Sequence, residues 1–454
     1  MTLARGRAAR LRVLASHTPT QVVVAAFALA VLTGTALLLL PIARAGTGGA
    51  PLLTALFTAA SAVCITGLIV VDTPSYWSGF GEVVILGLVQ IGGFGIMTAA
   101  SLLGLVASRR LGLRSRLTAQ AETNALGLGE VRRVIRTVAV FSLVFELATA
   151  LLLAARWWLA YDESLPRAAY LGAFHSVSAF NNAGFALYRD SMVGFATDPW
   201  ISLPLAVAVI AGGVGFPVLF ELSRGLAKPR RWSLHTRLTL ATSATLIAVG
   251  TVAVTALEWA NAGTLGRLPV PGKLLAGFFQ GVMPRSGGFN SVDYAQLDPA
   301  TLIVTDVLMF IGGGSAGTSG GIKVTTFAIL GMVIYAQVRG EADVNVLHRR
   351  VPTATQRQAL TVALLAVGIV VSATIALLVA TPFSLDQVLF EVVSAFGTTG
   401  LSTGITADLP GGGQLLLIAL MFVGRLGTVT LASALALRER PLLHRLPEER
   451  PIVG

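Results

Sequence analysis

A six-residue interval recurs four times along the chain, and each copy ends in a glycine that follows a short apolar stretch. Three copies begin with Ser-Ala, in SAVCITGL, SAFNNAGF and SAFGTTGL, whereas the remaining copy, VMPRSGGF, begins with Val-Met. Glycine adopts backbone angles that other residues avoid. A glycine at the same place in four loops therefore predicts one shared backbone conformation. The four glycines are Gly67, Gly184, Gly288 and Gly400.

The composition places these loops in a membrane protein. Hydrophobic residues make up 54% of the 454 residues and charged residues 12%, whereas about a quarter of a typical soluble chain is charged. Eight apolar runs are long enough to cross roughly 30 Å of hydrocarbon. They cover residues 21–41, 83–107, 137–155, 200–222, 240–257, 302–338 with an interruption, 358–381 and 413–437. The first run exceeds the about 7–15 apolar residues of a signal-peptide core, so we interpret it as a membrane span.

Cysteine, histidine and charge exclude further classes. The single Cys64 excludes an internal disulfide, and the five scattered histidines do not favour a zinc site. The formal net charge of +11 is carried largely by five segments, which hold 24 of the 33 Lys and Arg residues: 1–20, 108–136, 223–238, 339–357 and 438–454. This uneven distribution follows the positive-inside rule and predicts that both termini are cytoplasmic. It favours a membrane orientation over nucleic-acid binding.

The runs and the glycine intervals together predict an all-α integral membrane protein of four parallel units with eight transmembrane helices around one pore. Each unit has a long helix, a short apolar stretch, a glycine loop and a second long helix. The short stretches, at about 12 residues, cannot span a bilayer and are predicted to be re-entrant half-helices. They cover 52–63, 168–180, 272–283 and 385–396. The units cover 21–107, 133–222, 237–338 and 358–438, between cytoplasmic termini at 1–20 and 439–454.

The four loops are predicted to form a cation filter at the shared axis. Backbone carbonyls can replace the hydration shell of an ion, and the half-helix C-termini, each carrying roughly half a negative charge, favour a cation. The alternative is four buried helix–turn elements whose glycines merely permit tight packing. The candidate filter residues are Cys64, Ile65, Thr66 and Gly67; Asn181, Asn182, Ala183 and Gly184; Arg285, Ser286, Gly287 and Gly288; and Gly397, Thr398, Thr399 and Gly400.

A glycine-rich segment interrupts the run 302–338. Residues 312–321 read GGGSAGTSGG, and each glycine costs about 1 kcal/mol in a helix, so the helix is predicted to break there. We interpret the segment as a flexible gating loop beneath the filter; the alternative is a static kink. The candidate gating residues are Gly312, Gly313, Gly314, Ser315, Ala316, Gly317, Thr318, Ser319, Gly320, Gly321 and, just beyond the segment, Lys323.

Glycines in the other second helices have a simpler interpretation. Gly92 and Gly93, Gly212 to Gly215 and Gly424 lie within the runs 83–107, 200–222 and 413–437. Small residues let membrane helices approach closely, so packing is their predicted role.

Arg425 is the only charge in the run 413–437. A charge at this depth is costly and usually faces an interior or an aqueous path. We expect its guanidinium, with five donors, to bind carbonyls of the segment 312–321 and to act as a gate. The alternative is a packing arginine paired with a neighbouring helix.

Several other polar residues have two open interpretations. Cys64 either lies near the filter or fills space behind it. Asn181 and Asn182 either brace their loop or merely end a helix, and Lys323 either anchors the segment or extends toward the cytoplasm. Glu391 either holds the fourth loop or joins two helices. Arg285 is expected to brace the third loop from behind, Asp306 to be interfacial, and His175 to be a satisfied buried histidine.

These motifs together resemble the Trk/Ktr/HKT superfamily of potassium transporters. The resemblance rests on the four loops, on GGIKVTTF after the glycine-rich segment and on the arginine in MFVGRLGT, and it covers about residues 20–440. The short N-terminus is most similar to the bacterial Ktr membrane subunit. The resemblance implies K⁺ selection at Gly67, Gly184, Gly288 and Gly400, a homodimer and a cytosolic nucleotide-binding regulatory ring.

The sequence and the resemblance lead to one functional prediction. The chain is expected to take up K⁺ across a prokaryotic plasma membrane, surrounded by lipid, with Na⁺ as a candidate activator, no covalent cofactor and no enzyme activity. A Na⁺-coupled secondary transporter is the alternative, although such proteins are expected to have paired intramembrane carboxylates or inverted halves. A membrane-embedded enzyme is a second alternative, but no cluster of nucleophile, base or metal ligands is evident.

Overall fold

The computed structural model describes residues 19–111, 128–226, 228–347 and 349–437. Most of the two predicted cytoplasmic termini, 1–20 and 439–454, lies outside the described residues. The described chain is mostly helical, with one hairpin of two short antiparallel strands. The helices are α1 Pro19–Leu38, α2 Leu52–Val63, α3 Thr73–Tyr76, α4 Gly79–Leu111, α5 Leu128–Ala160, α6 Leu165–Phe180, α7 Pro199–Val214, α8 Phe216–Gly225, α9 Leu234–Leu257, α10 Val270–Val282, α11 Pro299–Phe310, α12 Val324–Val338, α13 Thr353–Ala380, α14 Leu385–Gly397 and α15 Gly411–Leu437; the strands are β1 Asn345–Val346 and β2 Arg349–Arg350.

Five of these helices are long and apolar enough to cross a membrane. They are α1, α4, α5, α9 and α13, and the bent pair α7 and α8 makes a sixth if it is counted as one span. The shorter apolar helices include α11, α12 and the first part of α15. The chain is therefore a multi-pass membrane protein.

The four short apolar stretches are helical. They form α2, α6, α10 and α14. Of these, α6 begins at Leu165 and α10 at Val270, upstream of the predicted starts at 168 and 272, whereas α2 and α14 begin where the sequence predicts. Proline lies in the first turn of α6 and α10, where its missing N–H costs nothing. A capping box between Ser384 and Gln387 begins α14. The C-terminal ends of all four helices are buried.

The packing between helices repeats and closes on itself. Each short helix packs against the long helix before it, as α2 does against α1 and α6 against α5. Each also packs against a helix from the preceding repeat. These pairs are α4 with α6, α7 with α10, α11 with α14 and α15 with α2. Because the last pair joins the final repeat to the first, the four repeats form a closed cycle in chain order.

The run 200–222 is not the continuous helix that the sequence predicts. It breaks after Val214, and α7 and α8 meet at an angle of 103°. Gly215 has a φ of +95°, and Pro217 follows in the first turn of α8. A left-handed residue ends one helix, and proline starts the next without needing a hydrogen-bond partner. The predicted break in the run 302–338 is present, between Phe310 and Val324.

Gly215→Ala is expected to lower the thermal stability of the protein. A Cβ there would contact the Ser315 carbonyl oxygen and lie 3.2 Å from the Gly317 amide nitrogen, and a left-handed residue other than glycine costs about 1–3 kcal/mol. Gly225→Ala is the matched control, because a Cβ at Gly225 meets nothing within 4 Å. Thermal unfolding of the detergent-solubilised protein measures both. Equal melting temperatures for the two variants would contradict the expected strain.

Candidate functional site

The four interval glycines meet in one ring. Their φ values are +86° at Gly67, +72° at Gly184, +76° at Gly288 and +91° at Gly400. A Cβ on Gly184 would lie 2.7 Å from the Cα of Gly288, and a Cβ on Gly400 would lie 3.0 Å from the Cα of Gly67. Each glycine therefore contacts a neighbouring loop, and no side chain fits between them. The structure brings together the four residues that the sequence singles out.

A second left-handed residue precedes each ring glycine by two positions. These residues are Ile65, Asn182, Ser286 and Thr398, with φ values of 56°, 58°, 72° and 46°. Non-glycine residues rarely adopt positive φ, and such strain tends to collect at functional sites. Four of the eight such residues in the described chain occupy this one position. The unusual backbone is thus a shared feature of the loops.

The loop amides are turned toward the ends of the short helices. The Thr66 N–H donates to the Ser61 carbonyl at 2.8 Å, and the Gly67 N–H donates to the Ser61 hydroxyl at 3.0 Å. The fourth loop repeats both bonds with Ser394, at 2.9 Å to its carbonyl and 3.1 Å to its hydroxyl. In these two loops the serine of the Ser-Ala pair therefore holds the glycine amide, a role that the spacing alone did not indicate.

The third loop lacks this serine. Val282 occupies the equivalent place, and the Gly288 N–H lies 3.4 Å from the Met283 carbonyl oxygen, while the Gly287 N–H donates to the same oxygen at 2.7 Å. The degenerate copy reaches the same left-handed glycine through backbone contacts alone.

One cavity of about 590 Å³ lies against the ring. It is lined by all four glycines and by residues that follow them in the chain. Its charged lining has three carboxylates and two guanidinium groups. These belong to Asp72, Asp190 and Asp293, and to Arg189 and Arg267.

The glycine-rich segment 312–321 lies on the other side of the ring, against residues that precede the glycines. The Gly320 N–H donates to the Ser286 hydroxyl at 3.2 Å. In either orientation of its amide, Asn182 bonds the hydroxyls of Thr318 and Ser319, at 3.0 and 3.2 Å. Asn182 therefore connects the second loop to the segment and does more than end a helix.

The segment is also bound to the break between α7 and α8. The Gly314 N–H donates to the Gly213 carbonyl at 2.7 Å, and the Thr318 N–H donates to the Gly212 carbonyl at 3.1 Å. The Phe216 N–H donates to the Ala316 carbonyl at 3.2 Å. The broken helix of the second repeat thus supplies partners for the broken helix of the third.

Three cationic side chains hold carbonyls of the segment. Arg285 donates to the Gly312 carbonyl at 3.0 Å and to the Ser243 carbonyl at 3.2 Å, so it ties the third loop to α9 and to the segment. Lys323 donates to the Ser319 carbonyl at 2.5 Å. Of its two interpretations, this contact favours the one in which Lys323 anchors the segment. Arg425, only 2% exposed, donates to the Thr318 carbonyl. The predicted contact of Arg425 with the segment is present.

A buried carboxylate that no sequence motif indicates supports the second loop from behind. Glu146 of α5 accepts from Gln90 of α4 at 3.1 Å and from Asn181 at 3.2 Å, and Asn181 also donates to Gln90 at 2.8 Å. Gly93 leaves room for Asn181, because a Cβ there would lie 2.7 Å from the Asn181 Cγ. Asn181 therefore braces its loop. The only available signal was a single acidic residue inside the run 137–155.

Other buried polar groups serve the surrounding frame. Glu391 accepts from Ser402 at 2.5 Å and from the Thr403 N–H at 3.1 Å, so it holds the chain that leaves the fourth loop. His175 is satisfied as expected, since the Leu187 N–H donates to its Nε2 at 3.2 Å. Asp306, which the sequence predicts to be interfacial, is buried within the protein, with 7% of its surface exposed. It lies on the buried face of α11 that packs against α14.

Two further predicted residues lie at the end of α2 and within the segment 312–321. Cys64 ends α2, is fully buried and donates its N–H to the Ala60 carbonyl at 2.8 Å. Ser315 lies at the far end of the segment, 3.4 Å from the Thr325 hydroxyl. Within the described residues, no group of three or more His, Cys, Asp or Glu side chains is arranged to hold a metal ion.

The second-helix glycines permit backbone contact with the short helices. A Cβ on Gly92 would contact the Val63 carbonyl oxygen, one on Gly212 the Phe180 carbonyl oxygen, and one on Gly424 the Phe396 carbonyl oxygen. The carbonyl in each pair lies four residues before a ring glycine. The predicted packing role is therefore visible in three repeats, at an equivalent contact.

Comparison with known proteins agrees with this architecture. The TrkH family profile, described as a cation transport protein, matches residues 3–441. The Ktr system potassium uptake protein B of Bacillus subtilis is 38% identical over 96% of this chain and 97% of its own length. The potassium/sodium uptake protein NtpJ of Enterococcus hirae is 31% identical over 96% of this chain and 97% of its own length.

The fold also matches a solved structure. The potassium transporter TrkH from Vibrio parahaemolyticus superposes with a TM-score of 0.70 at 19% identity, over 92% of this chain and 84% of that chain. The family and these relatives are transporters and not enzymes. On the family match over nearly its whole length, this chain belongs to the TrkH family of cation transport proteins.

Proposed function

We propose that this protein conducts K⁺ into a prokaryotic cell through the ring formed by Gly67, Gly184, Gly288 and Gly400. The observation that carries the proposal is the ring itself, which joins four left-handed glycines at one cavity. Bonding of the amides in loops one and four to Ser61 and Ser394 leaves carbonyl oxygens of those loops for a cation. The names of the Bacillus and Enterococcus relatives support potassium as the ion.

The chemistry of the ring suits a monovalent cation. Neutral carbonyl dipoles replace bound water without fixing the ion too tightly, as conduction requires. The four buried C-terminal ends of α2, α6, α10 and α14 add partial negative charge. Only one ring glycine occurs per loop, so we infer few ordered ion sites and modest discrimination of K⁺ from Na⁺. The potassium/sodium uptake relative supports Na⁺ as a second ion or an activator.

The proposed membrane arrangement has four parallel units and eight transmembrane helices. The helix pairs α7 with α8 and α11 with α12 then count as broken spans, and α15 completes the fourth unit. Both termini face the cytoplasm, in keeping with the distribution of Lys and Arg. The cavity beside the ring faces outward, and the segment 312–321 faces the cytoplasmic half of the path. Membership of the family supports a homodimer that is controlled by a cytosolic nucleotide-binding ring.

The segment is the proposed gate. It lies directly against the loops and is held by Arg285, Lys323 and Arg425. All three side chains are cationic, so the closed state opposes K⁺ by its positive charge as well as obstructing it. Release of the segment would remove the obstruction.

Purified protein in liposomes tests the proposal directly. A K⁺ gradient should drive K⁺ flux, and Gly288→Ser should lower the preference for K⁺ over Na⁺. A Cβ at Gly288 would lie 2.5 Å from the Thr399 carbonyl oxygen and 2.7 Å from the Gly184 Cα. The resulting distortion, at about 1 kcal/mol or more, corresponds to a loss of about fivefold in preference. Gly331→Ala is the control, since a Cβ there meets nothing within 4 Å. An unchanged ion ratio in folded Gly288→Ser would remove Gly288 from the filter.

Shortening the segment within 313–319 should raise the basal K⁺ flux and weaken its control by a cytosolic partner. The reason is that the proposed obstruction and its carbonyl acceptors are removed together. Flux into liposomes at equal protein content, with and without the partner, measures both effects. A shortened protein that folds but conducts no faster than the parent would contradict the gating role.

Arg425→Ala should raise basal K⁺ flux more than Arg425→Lys. Alanine removes both the bond to the Thr318 carbonyl and the positive charge, whereas lysine keeps the charge and loses the planar fork. A charge-assisted hydrogen bond is worth about 1.5–3 kcal/mol, so the alanine variant should conduct at least about tenfold faster. The measurement is flux without any cytosolic partner. Equal flux in the parent and both variants would exclude Arg425 as part of the gate.

A further inference from the structure

Ser286 is the point at which the segment 312–321 meets the ring. It lies two residues before Gly288, has a φ of 72° and is fully buried. Its hydroxyl donates to the Thr398 carbonyl at 2.7 Å and accepts from the Gly320 N–H at 3.2 Å. One hydroxyl group therefore joins the third loop, the fourth loop and the segment.

The equivalent residues of the other loops show that this position is where the segment makes contact. Asn182 bonds the hydroxyls of Thr318 and Ser319. A Cβ on Gly320 would lie 3.0 Å from the Cβ of Thr398. In the first loop this position is occupied by the apolar Ile65. The left-handed backbone two residues before each ring glycine thus turns three polar side chains toward the segment.

The two hydrogen bonds of Ser286 affect each other. A hydroxyl that accepts a hydrogen bond becomes a better donor, so the Gly320 N–H strengthens the bond from Ser286 to the Thr398 carbonyl. A carbonyl that is engaged by a strong donor is a weaker ligand for a cation. Without the Gly320 N–H, the hydroxyl is a weaker donor, and it can turn from the Thr398 carbonyl to the Gly397 carbonyl, which lies 3.4 Å away at the end of α14. Movement of the segment therefore changes whether the Thr398 carbonyl is free to bind a cation.

We propose that Ser286 is a positioning residue that couples the segment to the ion selectivity of the ring. With the segment in place, Ser286 holds the Thr398 carbonyl; when the segment withdraws, that carbonyl becomes available as a ligand. In one account of filter selectivity, the number and field strength of the coordinating carbonyl dipoles set the preference for K⁺ over Na⁺. The open state is then more K⁺-selective than leakage through the closed state. This inference rests on the proposed function, because it takes the ring to be the filter.

The test measures the K⁺/Na⁺ permeability ratio in liposomes for the parent, for Ser286→Ala, for the protein shortened within 313–319, and for the two changes combined. Ser286→Ala should raise the ratio by about fivefold, which corresponds to one hydrogen bond of about 1 kcal/mol. The shortened protein should show the same rise, and the combined variant should show no further one. Ser176→Ala is the control, since its buried hydroxyl bonds only the Ala173 carbonyl of its own helix at 3.0 Å, and it should keep the parent ratio.

The outcomes separate the inference from the proposed function. A parent that conducts K⁺ with an unchanged or lower ratio in Ser286→Ala would overturn the coupling alone. A further rise in the combined variant would also overturn it, because the hydroxyl would then act without the segment. A parent that carries no K⁺ would overturn both proposals. If the alanine variant does not fold, Ser286→Gly takes its place, because glycine also lacks the hydroxyl and readily adopts a φ of 72°. The K⁺/Na⁺ permeability ratio of that variant then tests the coupling.

Discussion

The arrangement of this protein depends on one constraint, which is that a backbone amide in the hydrocarbon region must find a partner inside the chain. The four loops leave helical geometry where the protein is fully buried. In two of them a serine one turn before the end of the short helix accepts from the loop amides through both its carbonyl and its hydroxyl. Satisfying the donors in this way leaves acceptors without donors. An excess of carbonyl oxygens at one place is what a permeating cation requires.

The close approach of backbones explains why glycine is used so heavily, at 49 of 454 residues. The ring glycines contact neighbouring loops, and Gly92, Gly212 and Gly424 contact the carbonyls that end the short helices. The first set fixes the loops relative to one another, and the second fixes the short helices relative to the long ones, in both cases through backbone contacts that leave no freedom of side-chain rotation. A site with such short distances between main chains has little capacity to adjust around a Cβ. The ring is therefore rigid because its glycines allow the main chains to lie in direct contact.

Much of this arrangement could be predicted from the sequence, because its motifs either recur along the chain or place unfavourable residues inside an apolar helix. The four intervals located the ring residues, the six glycines of 312–321 predicted a broken helix, and a lone arginine in an apolar run predicted the contact of Arg425 with the segment. The break at Gly215 was missed, since one Gly-Phe-Pro in an apolar run is compatible with a kink or a stop. The roles of Glu146 and Ser286 were missed because they depend on which helices become neighbours. Such pairings separate residues by 56 and 112 positions, and no local pattern records them.

The third repeat shows how a near-symmetric scaffold accommodates a control element. It is the copy that lacks the serine, with Val282 in its place, and it is the copy whose second helix is interrupted by the segment 312–321. Its loop carries Arg285 and Ser286, and both side chains bond the segment. The third copy still contributes a left-handed glycine to the ring, as the three Ser-Ala copies do. The third copy lacks the hydrogen bond to this serine and instead contacts the segment 312–321 through Arg285 and Ser286. The irregularity in the sequence motif and the position of the proposed gate thus have a common cause.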